Sequence, residues 1–358
     1  MIVWFAGTVG NRIEVENFCK YRLHSYHSIQ DGAATRNVMQ NEERTYTLFL
    51  DSGAFSAWNL GKPIQVQDYI DYVKNNLSKI DYYVVLDVIT QVQASWENQC
   101  AMEAQGLKPL PVYHTEDPFP YLDRCLHYDY FCLGGMAKGF TTKQRRDFLD
   151  ACWERMTDAD GAPLTKVHGL GMTSIDLMMR YPWYSVDSTS WLLASAMGNI
   201  LLPRLTESGP VFDQKPLVLS SSSRSPQQGD DTKHILAMKG KERDRVFGYL
   251  AELGVPLGVS EFVKYEGQEI LEGQKKCKDG KGQEILETIK EEGVANSRYS
   301  RFIVNATFFK RLAAGLGNWR ERRFEQKRKA KKGFFSKNVF VQPPVKRAKG
   351  KVDHDKNK

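Results

Sequence analysis

The sequence predicts an α/β protein with a (β/α)8 barrel of the TIM type, and three observations support this. Over the first 220 residues, short apolar runs alternate with helical stretches about eight times. Three of these runs end in an aspartate. At 358 residues, the chain is also long enough to bury a large core. A doubly wound parallel sheet shows the same alternation, and periodicity alone does not separate the two folds.

Seven short apolar runs are predicted to be strands. They are Val3–Ala6, Tyr46–Leu50, Tyr82–Leu86, Leu110–Tyr113, Tyr128–Leu133, Lys166–Leu170 and Tyr184–Val186. The candidates for the eighth strand are Ile200–Leu205 and Pro216–Leu219. Between the strands, Gln67–Leu77 and Lys143–Met156 each place their apolar residues on one face of a helix.

The chain divides into three expected parts. Residues 1–228 form the catalytic barrel, and they end in a Ser- and Gly-rich stretch typical of a loop. Residues 229–330 are predicted to be a mostly helical segment that completes or decorates the barrel. Residues 331–358 are a basic tail with the composition of a disordered end.

Composition indicates an ordinary cytoplasmic protein. The chain is 41% hydrophobic and 26% charged, and no apolar run approaches the roughly 20 residues that cross a bilayer. The opening MIVWFAG is too short, and lacks the basic residues, for a signal peptide. Six cysteines are scattered without a CxxC pair, which is typical of reduced thiols. We therefore expect no membrane association.

Three of the predicted strands end in a carboxylate, at Asp51, Asp87 and Asp187. Another ends in the glycine pair Gly134 and Gly135. A single aspartate after a strand is commonly a helix N-cap. In a barrel, however, the carboxyl ends of all strands meet at one mouth, where active sites lie. The set as a whole therefore predicts a site.

Metal-dependent hydrolysis is one chemistry that such a mouth supports. Histidines are present at His114, His127 and His168, and His together with Asp often holds zinc or magnesium. The chain contains no HxH or HExxH motif, however, and these histidines lie on separate segments. A metal-dependent phosphoesterase or nuclease therefore stays an alternative, as does a non-catalytic nucleic-acid-binding protein.

Three segments resemble motifs of the tRNA-guanine transglycosylases. DSGAF at 51–55 resembles their DSGGF motif, and LGGMAKG at 133–139 is similar to their GGLA turn. VDSTSW at 186–191 resembles the DSASY-type motif of the archaeal members. The order and strand context of the three segments match that family across residues 50–191. The resemblance implies a (β/α)8 barrel, in agreement with the alternation above.

The resemblance also implies a pentosyltransferase that exchanges a base through a covalent intermediate. Breaking a glycosidic bond passes through an oxocarbenium-like transition state, for which two carboxylates are the usual equipment. Asp187 corresponds to the nucleophile that attacks C1′. Asp51 corresponds to the aspartate that handles protons on the leaving and arriving bases. We expect neither a cofactor nor a catalytic metal.

The remaining motif residues correspond to the base pocket of the family. Asp87 matches the base-recognition aspartate, since guanine presents adjacent N–H donors that suit an acceptor-only partner. Phe55 matches the aromatic that stacks on the base, although core packing explains it equally simply. His114 stands where the family usually has glutamine and is able to donate to O6. The pocket is completed by Ser52, Gly134, Gly135, Met136 and, as a wall, His168.

The resemblance breaks down at the zinc site of the tRNA-acting members. Their CxCxxC…H site follows the last barrel strand, whereas this chain has only Cys277 beyond residue 152. The RNA-binding module of the archaeal members is also not recognisable. These differences resemble the DNA-modifying branch found in bacteriophages, which inserts a 7-deazaguanine such as preQ0 and so evades restriction. We therefore expect DNA rather than tRNA as substrate and a free deazaguanine base as partner. The sequence does not determine the oligomeric state.

A basic block near the end of the chain predicts contact with a polyanion. Of the thirteen residues 320–332, eight are basic, and the formal net charge of the chain is +7. The residues expected to contact phosphates are Arg320, Arg322, Arg323, Lys327 and Arg328. A solvated helix face followed by a disordered end would show the same composition.

Overall fold

The computed structural model describes residues 1–10, 12–32, 39–115, 117–136, 140–172, 174–225 and 233–325. These residues belong to one compact unit, Met1–Glu325. The boundary expected at residue 228 and the tail expected at 331–358 lie outside the described residues. Among the helices in the described ranges, none is both long and apolar enough to cross a membrane.

Eight parallel strands form a curled sheet flanked by helices, as in TIM-like folds. The strands are β1 (Ile2–Ala6), β2 (Tyr21–Ser25), β3 (Thr47–Asp51), β4 (Tyr82–Tyr83), β5 (Val112–His114), β6 (Tyr130–Gly134), β7 (Lys166–Gly169) and β8 (Ser185–Ser188). The helices between and after them are α1 (Ile13–Asn17), α2 (Tyr26–Asp31), α3 (Ala54–Asn59), α4 (Val66–Asn75), α5 (Val92–Ala104), α6 (Phe119–Cys125), α7 (Thr142–Met156), α8 (Ile175–Arg180) and α9 (Ser190–Ala196). A short 3₁₀ helix, Leu77–Lys79, precedes β4.

The strand order in the sheet is β4-β3-β2-β1-β8-β7-β6-β5. The two outer strands of this order also approach each other, because Val84 and Leu110 form a parallel bridge just after β4 and just before β5. The backbone N–H of Val85 donates to the carbonyl of Leu110 at 3.0 Å, and the N–H of Leu110 donates to Tyr83 at 2.9 Å. The carboxyl ends of the strands consequently face one common mouth.

All seven strands and both helices predicted from the sequence are confirmed to within a few residues. The prediction for the eighth strand was wrong. Its two candidates fall in β9 (Asn199–Leu202), β10 (Arg204–Thr206) and β12 (Leu217–Ser220), and β9 pairs antiparallel with β12 outside the main sheet. The strand that the sequence did not predict is β2. Its sequence YRLHS does not look like a buried strand because Arg22 and His24 occupy alternate positions.

Arg22 is tolerated inside the protein because it is paired. Its guanidinium lies 2.6 Å from the carboxylate of Glu16 on α1, and both side chains are fully buried. The same guanidinium lies over the ring of Trp191, 4.8 Å from its centroid. Partnered in this way, a charged side chain is compatible with a barrel strand that would otherwise carry an apolar residue there.

The segment after the barrel is only partly helical, which corrects the expectation for residues 229–330. Two helices are present, α10 (Gly240–Glu252) and α11 (Arg298–Gly315). Between them β13 (Val259–Lys264), β14 (Gln274–Lys278) and β15 (Glu284–Glu291) form an antiparallel sheet in the order β13-β15-β14. A small hairpin is formed by β10 and β11 (Gly209–Val211). The 3₁₀ helix Trp319–Glu321 follows α11.

Helix α11 runs along the barrel from the mouth to the opposite end. Its start lies next to the loop after β1, because a Cβ added to Gly10 in that loop would lie 3.5 Å from the hydroxyl of Tyr299. Toward its end, Lys310 donates to the carbonyl of Phe18 in the turn before β2. Beyond the helix, the N-terminal amine of Met1 donates to Gly317 at 2.8 Å. Residues from Gly317 onward therefore start at the amino-terminal ends of the strands, away from the mouth.

Candidate active site at the carboxyl ends of the strands

The three strand-end aspartates are brought to the same mouth. Asp51 is the last residue of β3, Asp87 follows β4, and Asp187 lies in β8. Asp87 and Asp187 are almost buried, whereas Asp51 retains partial contact with solvent. The negative charges of Asp87 and Asp187 act on Asp51, which places all three in one electrostatic environment.

The DSG sequence has a local geometric reason. Gly53 adopts φ +76°, in the left-handed region that favours glycine. This conformation turns its N–H back to the Asp51 carboxylate, which accepts it at 3.0 Å. A Cβ on Gly53 would collide with Ser25 and His27, so the turn also needs glycine for space.

Asp51 has an unusual protonation equilibrium. Burial raises its pKa, the charges of Asp87 and Asp187 raise it further, and the hydrogen bond from Gly53 opposes them, giving a pKa of about 7. A carboxyl group with this pKa exists in both protonated and ionised forms near neutral pH. It is therefore suited to giving and taking a proton in one reaction cycle.

Asp87 is held by two side chains. The Ser52 hydroxyl donates to one oxygen at 2.9 Å, and His114 Nε2 lies 3.0 Å from the other. His114 is also held from behind, because its Nδ1 lies 3.6 Å from the carboxylate of Asp117. The backbone N–H of His114 donates to the same carboxylate at 2.8 Å. Asp117 was not found by sequence reasoning, although it lies only three residues after His114.

His114 is a cation in this setting. Burial alone would lower its pKa, but hydrogen bonds to Asp117 and Asp87, together with their charges, raise it to about 10. The glutamine-to-histidine difference from the resembled family thus places a positive charge beside Asp87. A neutral glutamine at this position would leave Asp87 without that charge.

The loop that carries Asp87 contains a strained backbone conformation. Thr90 adopts φ +66°, the only positive φ at a residue other than glycine in the part of the chain that the structure describes. A β-branched residue in this region costs on the order of 1–3 kcal/mol, and such strain tends to occur at functional sites. Strain here is consistent with a loop whose shape is set by the pocket.

Asp187 accepts a hydrogen bond on one oxygen and leaves the other open. Its Oδ1 accepts the N–H of Gly171 at 2.7 Å, and His168 Nε2 lies 3.3 Å from the same atom. Its Oδ2 has no hydrogen-bond partner among the residues that the structure describes. Gly171 lies in the sequence HGLGMTS, directly after β7, and sequence reasoning did not connect this turn with Asp187.

His168 does not line the pocket, which corrects its expected role as a wall for the base. Its side chain is fully buried in the barrel interior. Its ring stacks on Phe49 with centroids 4.8 Å apart, and its Nδ1 lies 2.6 Å from the hydroxyl of Ser185. His168 therefore contacts the site only through Asp187.

The glycine pair forms a tight turn at the mouth. Gly135 adopts φ +81°, and a Cβ there would lie 2.7 Å from the Thr115 hydroxyl and 2.9 Å from its backbone nitrogen. A Cβ on Gly134 would lie 3.0 Å from the His114 ring. Met136 is buried, while Gly135 is exposed. The backbone after β6 therefore passes close to His114 and Thr115.

Phe55 does not pack in the core. It lies in the first turn of α3 and is 40% exposed. One turn later Trp58 is 56% exposed, and the two ring centroids are 6.3 Å apart. The alternative of plain core packing for Phe55 does not hold.

The described arginines of the basic block are not brought to the mouth. Trp319 packs on Tyr184, which directly precedes β8, so Arg320 lies near the opposite end of the strands. Arg322 donates to the carbonyls of Met178 and Met179 at the end of α8, so it satisfies the helix terminus. Arg323 is exposed and donates to Arg320. Lys327 and Arg328 lie outside the described residues.

Basic residues do occur at the mouth, where sequence reasoning did not look for them. Helix α7 begins beside the glycine turn, and its first turns carry the exposed Lys143 and Arg146. Basic residues at a helix N-terminus oppose the helix dipole by about 0.3–1 kcal/mol each. For Lys143, an ion pair with Asp147 one turn later, at 2.7 Å, offsets this cost.

Comparison with known proteins adds no family. A scan against protein-family models finds no match, and neither does a search of curated proteins. The likeness to the transglycosylases thus rests on the motif residues alone. Within the described ranges, no group of three or more His, Cys, Asp and Glu side chains is arranged to hold a metal ion.

Proposed function

We propose that the protein is a guanine transglycosylase that exchanges guanine in DNA for a 7-deazaguanine base such as preQ0. The observation that carries the proposal is the set of three aspartates with different environments at one mouth. Asp51 has a pKa of about 7, whereas Asp187 accepts an N–H on one oxygen and leaves the other open. Two carboxyl groups driven toward different roles are typical of glycosidic bond chemistry.

The reaction proceeds as a double displacement at C1′. In the first step, Oδ2 of Asp187 bonds to C1′ while the bond from C1′ to guanine N9 breaks, and protonated Asp51 supplies the proton that the leaving base requires. In the second step, ionised Asp51 takes the proton from the incoming base. That base then bonds to C1′ and displaces Asp187. The proton that is given in the first step is recovered in the second, so no other reactant is needed.

Base recognition rests on Asp87 and His114. Guanine and 7-deazaguanines share one edge, with an acceptor at O6 and donors at N1 and N2. Asp87 accepts from the two donors, and His114, which points Nε2 at Asp87 and Nδ1 at Asp117, holds that carboxylate in place. The backbone N–H groups at Gly135 and Met136 are then left to donate to O6. Phe55 stacks on the face of the base, and the backbone at Gly135 allows the close approach.

The nucleic acid lies across the mouth in this proposal, and not across the arginine segment at the opposite end. The target guanine has to leave the duplex stack, at a cost of a few kcal/mol. Phosphate contacts from Lys143 and Arg146 offset part of this cost, and such contacts are blind to sequence. The closed (β/α)8 barrel of the resembled family provides the same arrangement of mouth and strand ends.

Isotope exchange tests the proposal. Labelled guanine, and separately preQ0, is incubated with DNA or with unmodified tRNA, and the base content of the recovered polymer is measured by nucleoside mass spectrometry. We expect incorporation into DNA by the wild-type protein and none by Asp187→Asn. Incorporation into tRNA alone would leave the base exchange in place and overturn the DNA assignment.

A chelator control distinguishes base exchange from hydrolysis of the DNA strand. A metal-dependent phosphoesterase would cleave DNA and lose activity in chelator. Base exchange is expected to be insensitive to chelator and to leave the strand intact.

The nucleic-acid face is tested with two double variants at opposite ends of the barrel. Lys143→Ala/Arg146→Ala is expected to weaken DNA binding about tenfold or more at low salt and to reduce its salt dependence. Arg320→Ala/Arg323→Ala, the matched control, is expected to change DNA binding little. The reverse ranking of the two variants would place the DNA at the arginine segment.

A further inference from the structure

A chain of four polar side chains runs from the barrel interior to the candidate nucleophile. The Tyr130 hydroxyl lies 2.6 Å from the Ser185 hydroxyl, and Ser185 lies 2.6 Å from Nδ1 of His168. Nε2 of His168 lies 3.3 Å from Oδ1 of Asp187. Ser185 and His168 are fully buried and Tyr130 nearly so. Among the described residues, Nε2 of His168 has no hydrogen-bond partner, and its contact with Asp187 is a polar approach at 3.3 Å.

The hydrogen-bond directions in this chain select one form of His168. Burial raises the pKa of Tyr130 well above its ordinary value, so its hydroxyl stays protonated and is able to donate to Ser185. Ser185 then uses its single hydrogen to donate to Nδ1 of His168. A neutral imidazole that accepts at Nδ1 carries its hydrogen on Nε2, which faces Asp187. The opposite tautomer would set a nitrogen lone pair against a carboxylate oxygen, which is unfavourable.

We infer that His168 is a positioning residue that holds the carboxylate of Asp187 oriented, with Oδ2 directed to the substrate. The inference rests on the proposed function, because it assigns a role to a residue behind the proposed nucleophile. The N–H groups of His168 and Gly171 both act on Oδ1, which fixes the carboxylate plane and leaves Oδ2 as the attacking atom. Donors aligned in one direction reinforce each other in a dry interior.

The role differs from simple packing in what it predicts. A buried histidine that only filled space would be replaceable by leucine, with an effect on stability alone. A histidine that donates to a nucleophile changes the chemical step and the pH at which the carboxylate becomes ionised. The two roles are therefore separated by kcat and by the acidic side of the pH profile, and not by the melting temperature.

The test compares His168→Leu, which removes the donor, with His168→Gln, which retains an N–H near the Nε2 position. In labelled-guanine exchange we expect His168→Leu to lower kcat by about 10- to 100-fold, the size of one polar contact with a charged group, with KM for the base little changed. The acidic limb of its kcat/KM profile is expected to move to higher pH. His168→Gln is expected to recover most of the rate, and Ser185→Ala to fall between the two.

The inference is overturned if His168→Leu folds and exchanges base with wild-type kcat and an unmoved acidic limb while Asp187→Asn is inactive. Equal activity of wild type and Asp187→Asn would instead remove the proposed nucleophile. A readout without substrate guards against a variant that fails to fold. In the wild-type protein, ¹⁵N NMR of labelled histidine is expected to show His168 as the neutral Nε2–H tautomer near pH 7, and the Nδ1–H tautomer would contradict the chain.

Discussion

Replacement of Asp51 by asparagine is expected to stabilise the folded protein at neutral and alkaline pH while abolishing base exchange. The pKa of Asp51 is raised from 3.8 to about 7, first by burial and then by the charges of Asp87 and Asp187. A carboxyl group with a raised pKa in the folded state is easier to protonate there than in the unfolded chain. The folded state therefore loses stability as pH rises from about 4 to about 7, and the loss is complete above that.

The size of this effect follows from the shift. About three pKa units correspond to about 4 kcal/mol at most, and solvent contact of Asp51 reduces the expected value to about 1–3 kcal/mol. An asparagine still accepts the N–H of Gly53 but carries no charge. Urea unfolding at pH 5 and pH 8 is expected to show a gain for Asp51→Asn that is larger at pH 8.

A matched control is Asp129→Asn, since Asp129 is exposed and directly precedes β6, at the end of the strands opposite the mouth. Its effect on the free energy of unfolding is expected to be below about 0.5 kcal/mol and the same at both pH values. The reasoning about the carboxylate cluster would be refuted by an Asp51→Asn protein that is destabilised equally at pH 5 and pH 8. Such a result would mean that Asp51 is an ordinary exposed carboxylate or a structural cap.

Three further predictions concern the base pocket. His114→Leu is expected to destabilise the protein by about 3 kcal/mol near pH 6 and by less near pH 10. The reason is that the stabilisation from the raised pKa of His114 is complete below about pH 6.5 and is lost as pH rises through about 10. Urea unfolding measured at both pH values checks this. Gly135→Ala is expected to cost about 1–3 kcal/mol and to raise KM for the base, as measured by thermal melting and exchange kinetics; an unchanged KM would place the turn outside the pocket. Phe55→Ala is expected to change stability by less than about 0.5 kcal/mol yet weaken base binding about tenfold in a calorimetric titration, whereas equal affinity would exclude stacking.

Much of the barrel was predictable because its strands are apolar runs with alternating helices. Strand β2 was not, since a strand with arginine and histidine at alternate positions resembles a solvated segment. Its burial depends on Glu16, a residue on a different element, and no local pattern reveals such a pairing. The antiparallel sheet of β13, β14 and β15 escaped for a related reason. Its residues are mostly exposed and rich in Glu and Lys, which favour helices in isolation.

In the sheet these residues are held by contacts across strands. Lys276 lies 3.0 Å from Glu284, and Lys290 lies 3.0 Å from Glu261. Such pairs join residues that are eight and more positions apart, so a helical or strand period does not disclose them. Local propensity consequently predicted helix where tertiary pairing produced a sheet.

The candidate site was predicted in its carboxylates and turn but not in its supports. Asp51, Asp87 and Asp187 are recognisable because each closes an apolar run. Whether the side chain of His168 faces the pocket or the interior depends on the register of β7, and a shift by one residue would reverse it. For the arginine segment, chain order gives no information about which end of the barrel it reaches.

The central claim is that Asp187 forms a covalent bond to C1′ of a nucleotide in DNA. The most direct measurement is mass spectrometry of proteolytic peptides after rapid quenching of the protein during exchange. We predict a deoxyribose-linked mass on the peptide that contains Asp187, and its absence in Asp187→Asn. Active exchange without any adduct on this peptide, or an adduct on another residue, would contradict this claim.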